Sequence, residues 1–133
     1  MRLGHVIIYV KDIQETIAFY EKAFGLKHRF IHEGGAYAEM ETGTTALAFV
    51  DEKFVKDSLP FRPNRHSEEA AGIEISFVTD HVEQQFNKAI IAGAISIVKP
   101  TQKPWGQLIS YVRDNNGCLV EICSPIGVHE TAK

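Results

Sequence analysis

The sequence predicts an α+β fold: two paired βαβββ modules whose curved mixed sheets enclose a central cleft. Three observations carry this. Gly4-His5-Val6-Ile7-Ile8-Tyr9-Val10-Lys11-Asp12 and Gly72-Ile73-Glu74-Ile75-Ser76-Phe77-Val78-Thr79-Asp80 are alike, and such a duplication marks a repeated unit. Each stretch leads into an amphipathic helical pattern that a glycine ends. Each helix is followed by three more strand-like runs. With 133 residues, 44% hydrophobic and 23% charged, the chain can form one such pair around a shared core, and its composition is that of a folded protein.

The first strand alternates, with Val6, Ile8 and Val10 on one side and His5 and Ile7 on the other. Ile13, Ile17, Tyr20 and Phe24 then recur at helical spacing, so a helix is predicted over Ile13–Phe24, stopped by Gly25. Strands follow at 27–32, 36–41 and 45–50, with turns at Gly34-Gly35 and Thr42-Gly43-Thr44. Residues 57–71, with Pro60, Arg62, Pro63, Arg65, Glu68 and Glu69, read as a linker. The second module repeats the order. Val82, Phe86, Ala89 and Ile90 predict a helix over 82–92 before Gly93, and strands follow at 94–99, 107–113 and 118–123. Asp114-Asn115-Asn116-Gly117 is a hairpin turn whose glycine supplies a positive φ. The expected organisation is one domain over 1–128, with modules at 1–56 and 72–128 and a tail at 129–133.

A formal charge of −3, without any long basic run, argues against a nucleic-acid partner. Apolar runs such as Ala89-Ile90-Ile91-Ala92 are far shorter than a membrane span needs, and the start of the chain has no signal-peptide pattern, so a cytoplasmic location is expected. Cys118 and Cys123 match no zinc or redox spacing and are expected to be reduced structural thiols. Nucleophile-elbow, phosphate-loop and dinucleotide motifs are lacking.

Two motifs carry a resemblance across nearly the whole chain. Arg2-Leu3-Gly4-His5, Phe19-Tyr20-Glu21-Lys22 and Phe24-Gly25-Leu26 form the opening one. Arg113-Asp114-Asn115-Asn116-Gly117-Cys118-Leu119-Val120-Glu121-Ile122 forms the closing one, with a glutamate four residues past the glycine. In this order, around a duplication, they resemble the vicinal oxygen chelate superfamily: glyoxalase I, extradiol dioxygenases, and fosfomycin- and bleomycin-resistance proteins. The resemblance implies metal ligands on the first and last strands of each module. Carried over by position, His5 and Glu121 take two of these sites, and the fourth falls near Leu47 or Ala48, neither of which binds metal.

The remaining position depends on register. Aligning Asp12 with Asp80 gives an offset of 68 and sets Ile73 opposite His5; aligning Ile13 with Val82 gives 69 and sets Glu74 there. A one-residue slip exchanges the faces of the whole strand. At 69, Ile75 and Phe77 face the helix while Glu74 and Ser76 face the cleft, which agrees with the apolar alternation. The resemblance then implies that His5, Glu74 and Glu121 hold a divalent ion (Zn, Ni, Mn or Fe), with open positions for a bidentate substrate. Glu121 or Glu74 would serve as proton-transfer base.

Pro104-Trp105-Gly106-Gln107 admits two readings. Trp105 walls a substrate site and Gln107 binds substrate oxygens, or Trp105 caps the core and Gln107 starts a strand. His28, His32, His66, His81 and His129 read as surface histidines; Phe54, Phe61, Arg62 and Arg65, in or near the linker, read as a solvated charged segment, the alternative being a lid over the cleft with a guanidinium holding an anionic substrate. The expected function is a metal-dependent lyase or isomerase of glyoxalase type, acting on a small oxygen-rich substrate as a homodimer. The alternative is a metal-free binding and sequestration protein of the bleomycin-resistance kind.

Overall fold

The alternation of residues 5–10 becomes a strand because its β-branched side chains stand on opposite faces at every step. In a computed structural model describing residues 1–127, this is β1 (His5–Val10), followed by α1 (Ile13–Phe24), β2 (His28–Ile31), β3 (Tyr37–Met40) and β4 (Ala46–Asp51). The second module supplies β5 (Glu74–Val78), α2 (Val82–Ile91), β6 (Ile95–Gln102), β7 (Leu108–Arg113) and β8 (Leu119–Cys123). The predicted tail at 129–133, with His129, lies outside the described residues, as does residue 128. The two four-stranded sheets have equivalent orders, β1-β4-β3-β2 and β5-β8-β7-β6. In each, the first and last strands run parallel and the other pairings are antiparallel. The fold is α+β, as predicted.

α1 starts where Asp12 accepts the Glu15 N–H at 2.9 Å. It stops at Gly25, whose φ of 70° lets its N–H reach the Glu21 carbonyl. Its buried face, including Ile13, Ile17, Tyr20 and Ala23, lies in one core cluster with Ile8, Val10, Met40, Leu47 and Phe49. The same cluster takes in Val82, Phe86 and Ala89 of α2 with Val112, Val120 and Ile122. Each such large side chain, fully buried, contributes about 1.5–3 kcal/mol.

The modules also bond directly. The Phe24 and Phe77 rings lie 5.0 Å apart, Tyr20 donates to Asp114 at 2.6 Å, and Thr16 accepts from Asn116 at 3.1 Å. Exposure settles the register. Ile75 and Phe77 pack against the core, whereas Glu74, Ser76 and Val78 are exposed.

Three local differences from expectation have physical causes. β6 extends to Gln102 through Pro100, which an edge strand tolerates because no neighbour needs the missing N–H. A 3-10 turn at Glu52–Phe54 follows β4, begun by the Asp51 carboxylate accepting the Lys53 N–H. The linker is tied down along its length. Phe61 meets the Tyr9 ring edge-on at 4.8 Å, and Arg113 donates to the carbonyls of Arg65, His66 and Glu68.

Candidate functional site

Helices cover one face of each sheet, so polar side chains collect on the other. On the first sheet, His5 and Ile7 of β1 register with Ala46 and Ala48 of β4, and Ala48 with Glu39 of β3. The alanines leave room between β1 and β3, and Glu39 uses it. Its carboxylate is buried, 3.2 Å from His5 Nε2 and 3.2 Å from Arg29 Nη1, and accepts the Tyr37 hydroxyl at 2.6 Å. The Tyr37 hydroxyl first, and then the charges of His5 and Arg29, hold the Glu39 carboxyl below its usual range against the pull of burial. Burial, with Glu39 beside it, pushes the Tyr37 phenol up to about 12, so it stays a donor. Arg29 also makes a two-pronged contact with Glu41, with both bonds at 2.9 Å.

The second sheet is built differently. Ser76 of β5 registers with Glu121 of β8, and Glu121 with Tyr111 of β7. Ser76 Oγ donates to one Glu121 oxygen at 2.5 Å and Tyr111 to the other at 3.1 Å. Burial, and then the charge of Glu121, push the Tyr111 phenol up to about 12. Glu74 lies on the same face. Desolvation raises its carboxyl above the ordinary range, and the neighbouring Glu121 charge raises it further. Among the described residues neither Glu74 nor Glu121 has an ion-pair partner. Burial also raises the Cys123 thiol, which contacts Ser76 at 3.6 Å, so it is a poor nucleophile. A cavity of about 490 Å³ opens beside Glu74 and Ser76 and is bounded on the first module by Thr42, Thr45 and Ala46.

The structure therefore joins Glu74 to Glu121 and sets His5 against Glu39. Among the described residues no three His, Cys, Asp or Glu side chains form a group able to hold a metal ion. One imidazole and carboxylates suit a divalent ion chemically, but with His5 engaged by Glu39 the donors in one chain do not fit it as a resident group. Of the two candidates for the fourth family position, Ala48 is the one sharing a face with His5. Trp105 Nε1 donates to Gln107 Oε1 at 2.9 Å, and Gln107 Nε2 to the Ser124 carbonyl at 2.9 Å. Gln107 thus spends its amide inside the chain, while the Trp105 ring is 49% exposed. Sequence reasoning missed Glu39, Arg29 and Tyr37. The available signal was Tyr37 and Glu39 alternating with the apolar Ala38 and Met40.

The model of the Glyoxalase/Bleomycin resistance protein/Dioxygenase superfamily matches residues 2–122. A virulence protein of Salmonella typhimurium is 27% identical over 127 residues, covering 91% of this chain and 82% of that one. In fold, the chain is similar to a glyoxalase-related enzyme from Fulvimarina pelagi, with a TM-score of 0.79 at 18% identity over 96% of this chain and 94% of that one. It is also similar to a glyoxalase/bleomycin resistance protein/dioxygenase family enzyme from Burkholderia phytofirmans, with a TM-score of 0.74 at 19% identity over 93% and 98%. No helix among the described residues is long and apolar enough to cross a membrane.

Proposed function

The chain belongs to the Glyoxalase/Bleomycin resistance protein/Dioxygenase superfamily, and from that premise we propose that it is a glyoxalase-type isomerase or lyase acting on a small oxygen-rich molecule by proton transfer. One observation carries the reading: two neighbouring carboxylates in unlike settings. Glu121 is held as an acceptor by two hydroxyls, while burial and its neighbour's charge push Glu74 toward the protonated form. A carboxyl pushed toward its protonated form beside one engaged as a hydrogen-bond acceptor sorts the pair into acid and base.

Glu121 takes a proton from the carbon beside a substrate carbonyl, and the electron pair moves onto the carbonyl oxygen. Glu74 or the Tyr111 hydroxyl donates a hydrogen bond to the resulting oxyanion. Glu74 passes its proton to that oxyanion and takes the proton of the neighbouring hydroxyl, and Glu121 returns the carbon-derived proton to the former carbonyl carbon, so that hydroxyl and carbonyl exchange places and both carboxyls end as they began. This route runs through Glu74, Glu121 and Tyr111 alone. Of the metal set the resemblance implied, His5 has its place beside Glu39, with Trp105 available as a flat wall and Gln107 supporting it.

The test is proton exchange. Chelator-treated protein is incubated in heavy water with α-hydroxy carbonyl compounds and with thiol adducts of α-oxo aldehydes, and loss of the C–H signal is followed by NMR. Exchange by the wild type should fall about 10²–10⁴-fold in Glu121→Gln. Saturable binding without exchange in either protein would overturn the enzyme reading. It would favour the second one, a metal-free binding protein, which is supported by Glu74 and Glu121 pairing with no basic side chain among the described residues: a ligand bringing positive charge would complement them.

The proposal includes a cytoplasmic homodimer. Edge strand β6 exposes Ile95, Ile97 and Val98 by 42%, 49% and 38%, the kind of apolar edge that a second copy covers. Sedimentation equilibrium should give twice 14.9 kDa, and a purely monomeric species would refute it.

A further inference from the structure

A cavity of about 750 Å³, apart from both clusters described above, opens where four loops meet. They are the turn into α1, the 3-10 turn, the linker, and the hairpin between β7 and β8. Lys11, Lys53, Lys56, Arg65, Asp12, Glu15 and Glu52 are the charged side chains in its lining, alongside His66, so four permanent cations meet three anions in a chain of net charge −3. The commitments of those charges decide its character. Arg65 is spent on Glu52 at 2.6 and 3.1 Å, and the Asp12 carboxylate caps α1. Among the described residues the ammonium groups of Lys11, Lys53 and Lys56 make no ion pair or hydrogen bond, although the charges of Lys11 and Lys56 also act on Glu52, and Glu15 is the one lining carboxylate with no hydrogen bond or ion pair.

The walls are held independently of any ligand. Asn115 and Asn116 donate to Thr16 of α1 at 3.2 and 3.1 Å, fixing the hairpin to the helix. Arg113 donates to the Arg65 and His66 carbonyls, fixing the linker to β7. The cavity is thus preformed, and the lysine arms are its adjustable part. Its volume lies within the range of small-molecule sites. Three lysine side chains lining one cavity, none tied by an ion pair or hydrogen bond, with Ser67 among the lining residues, suit a compact ligand with several negative oxygens, because lysine acts toward phosphate as a mobile point charge. We propose that this four-loop cavity is a second ligand site, taking a small phosphorylated polyanion held by Lys11, Lys53 and Lys56.

The probe is inorganic pyrophosphate, titrated into the full chain by calorimetry and by amide NMR. One saturable site is expected, with shifts confined to residues 11–16, 52–56, 64–67 and 115–116. The double variant Lys53→Gln/Lys56→Gln alters exposed side chains and should weaken binding at least about tenfold, or about 1.4 kcal/mol. Glu121→Gln should bind as the wild type does, so this site stands or falls separately from the proposed catalytic pair. Unsaturable shifts spread over the surface, or unchanged binding by the lysine variant, would overturn the proposal.

Discussion

Gly117 shows how much can depend on one missing methyl group. Its φ is +89°, and a Cβ there would lie 2.6 Å from the Arg65 carbonyl oxygen and 2.6 Å from an Arg113 guanidinium nitrogen. Gly117→Ala therefore combines left-handed strain with backbone crowding and should cost about 2–4 kcal/mol. Gly34, at φ +93° with open space around it, should cost only the strain, about 1–2 kcal/mol. Urea unfolding of both variants checks this, and equal losses would mean that the linker contact contributes nothing. The sequence showed that residue 117 needs a glycine, because the turn signal is local. It could not show that a linker carbonyl some fifty residues earlier closes over it. The same limit hid Glu39: its tie to His5 crosses β4, and such pairings are absent from local alternation.

Between elements, the two helices differ in how they begin. Asp12 caps α1 with its side chain, whereas His81 at the start of α2 makes no side-chain cap bond. Asp12→Ala should destabilise by about 1 kcal/mol and His81→Ala by close to nothing, as thermal melts will report. Both helix positions were legible because an apolar stripe and a terminal glycine are written within a dozen residues. Strand phase was legible too, since Ile75 and Phe77 could satisfy a buried face in one register alone. The linker was not. Its prolines and charges describe a solvated segment equally well, and its anchoring depends on Tyr9, Glu52 and Arg113, which are distant in sequence.

At the scale of the molecule, the modules meet over a buried acid. Asp114 is fully buried, accepts the Tyr20 hydroxyl from the other module, and takes the Asn116 and Cys118 N–H groups on its second oxygen. Burial outweighs those bonds and raises its carboxyl above the ordinary aspartate range. An acid whose folded pKa is raised contributes stability that is fully present below its unfolded pKa and lost as pH rises through the folded one. Asp114→Asn has no such proton to lose. The stability advantage of wild type over variant should therefore be largest near about pH 3.5 and shrink toward about pH 7. Urea midpoints at both values measure it, and an advantage that widens with pH would refute the assignment. Any constant loss from re-orienting Tyr20 cancels in the comparison.

The unequal treatment of carboxylates on the two open faces also bears on how a ligand arrives. Glu39 and Glu41 face Arg29 and His5, whereas Glu74 and Glu121 face hydroxyls or nothing. The carboxylates of the first face thus share their charge with a guanidinium and an imidazole, whereas Glu121 keeps its charge with no cationic partner among the described residues, so the field across the two sheets is uneven. A small ligand with unlike ends is turned before it touches, its positive end leading toward β5 and β8. That guidance belongs to the approach rather than to the bound state, and added salt erases it over about 8–10 Å.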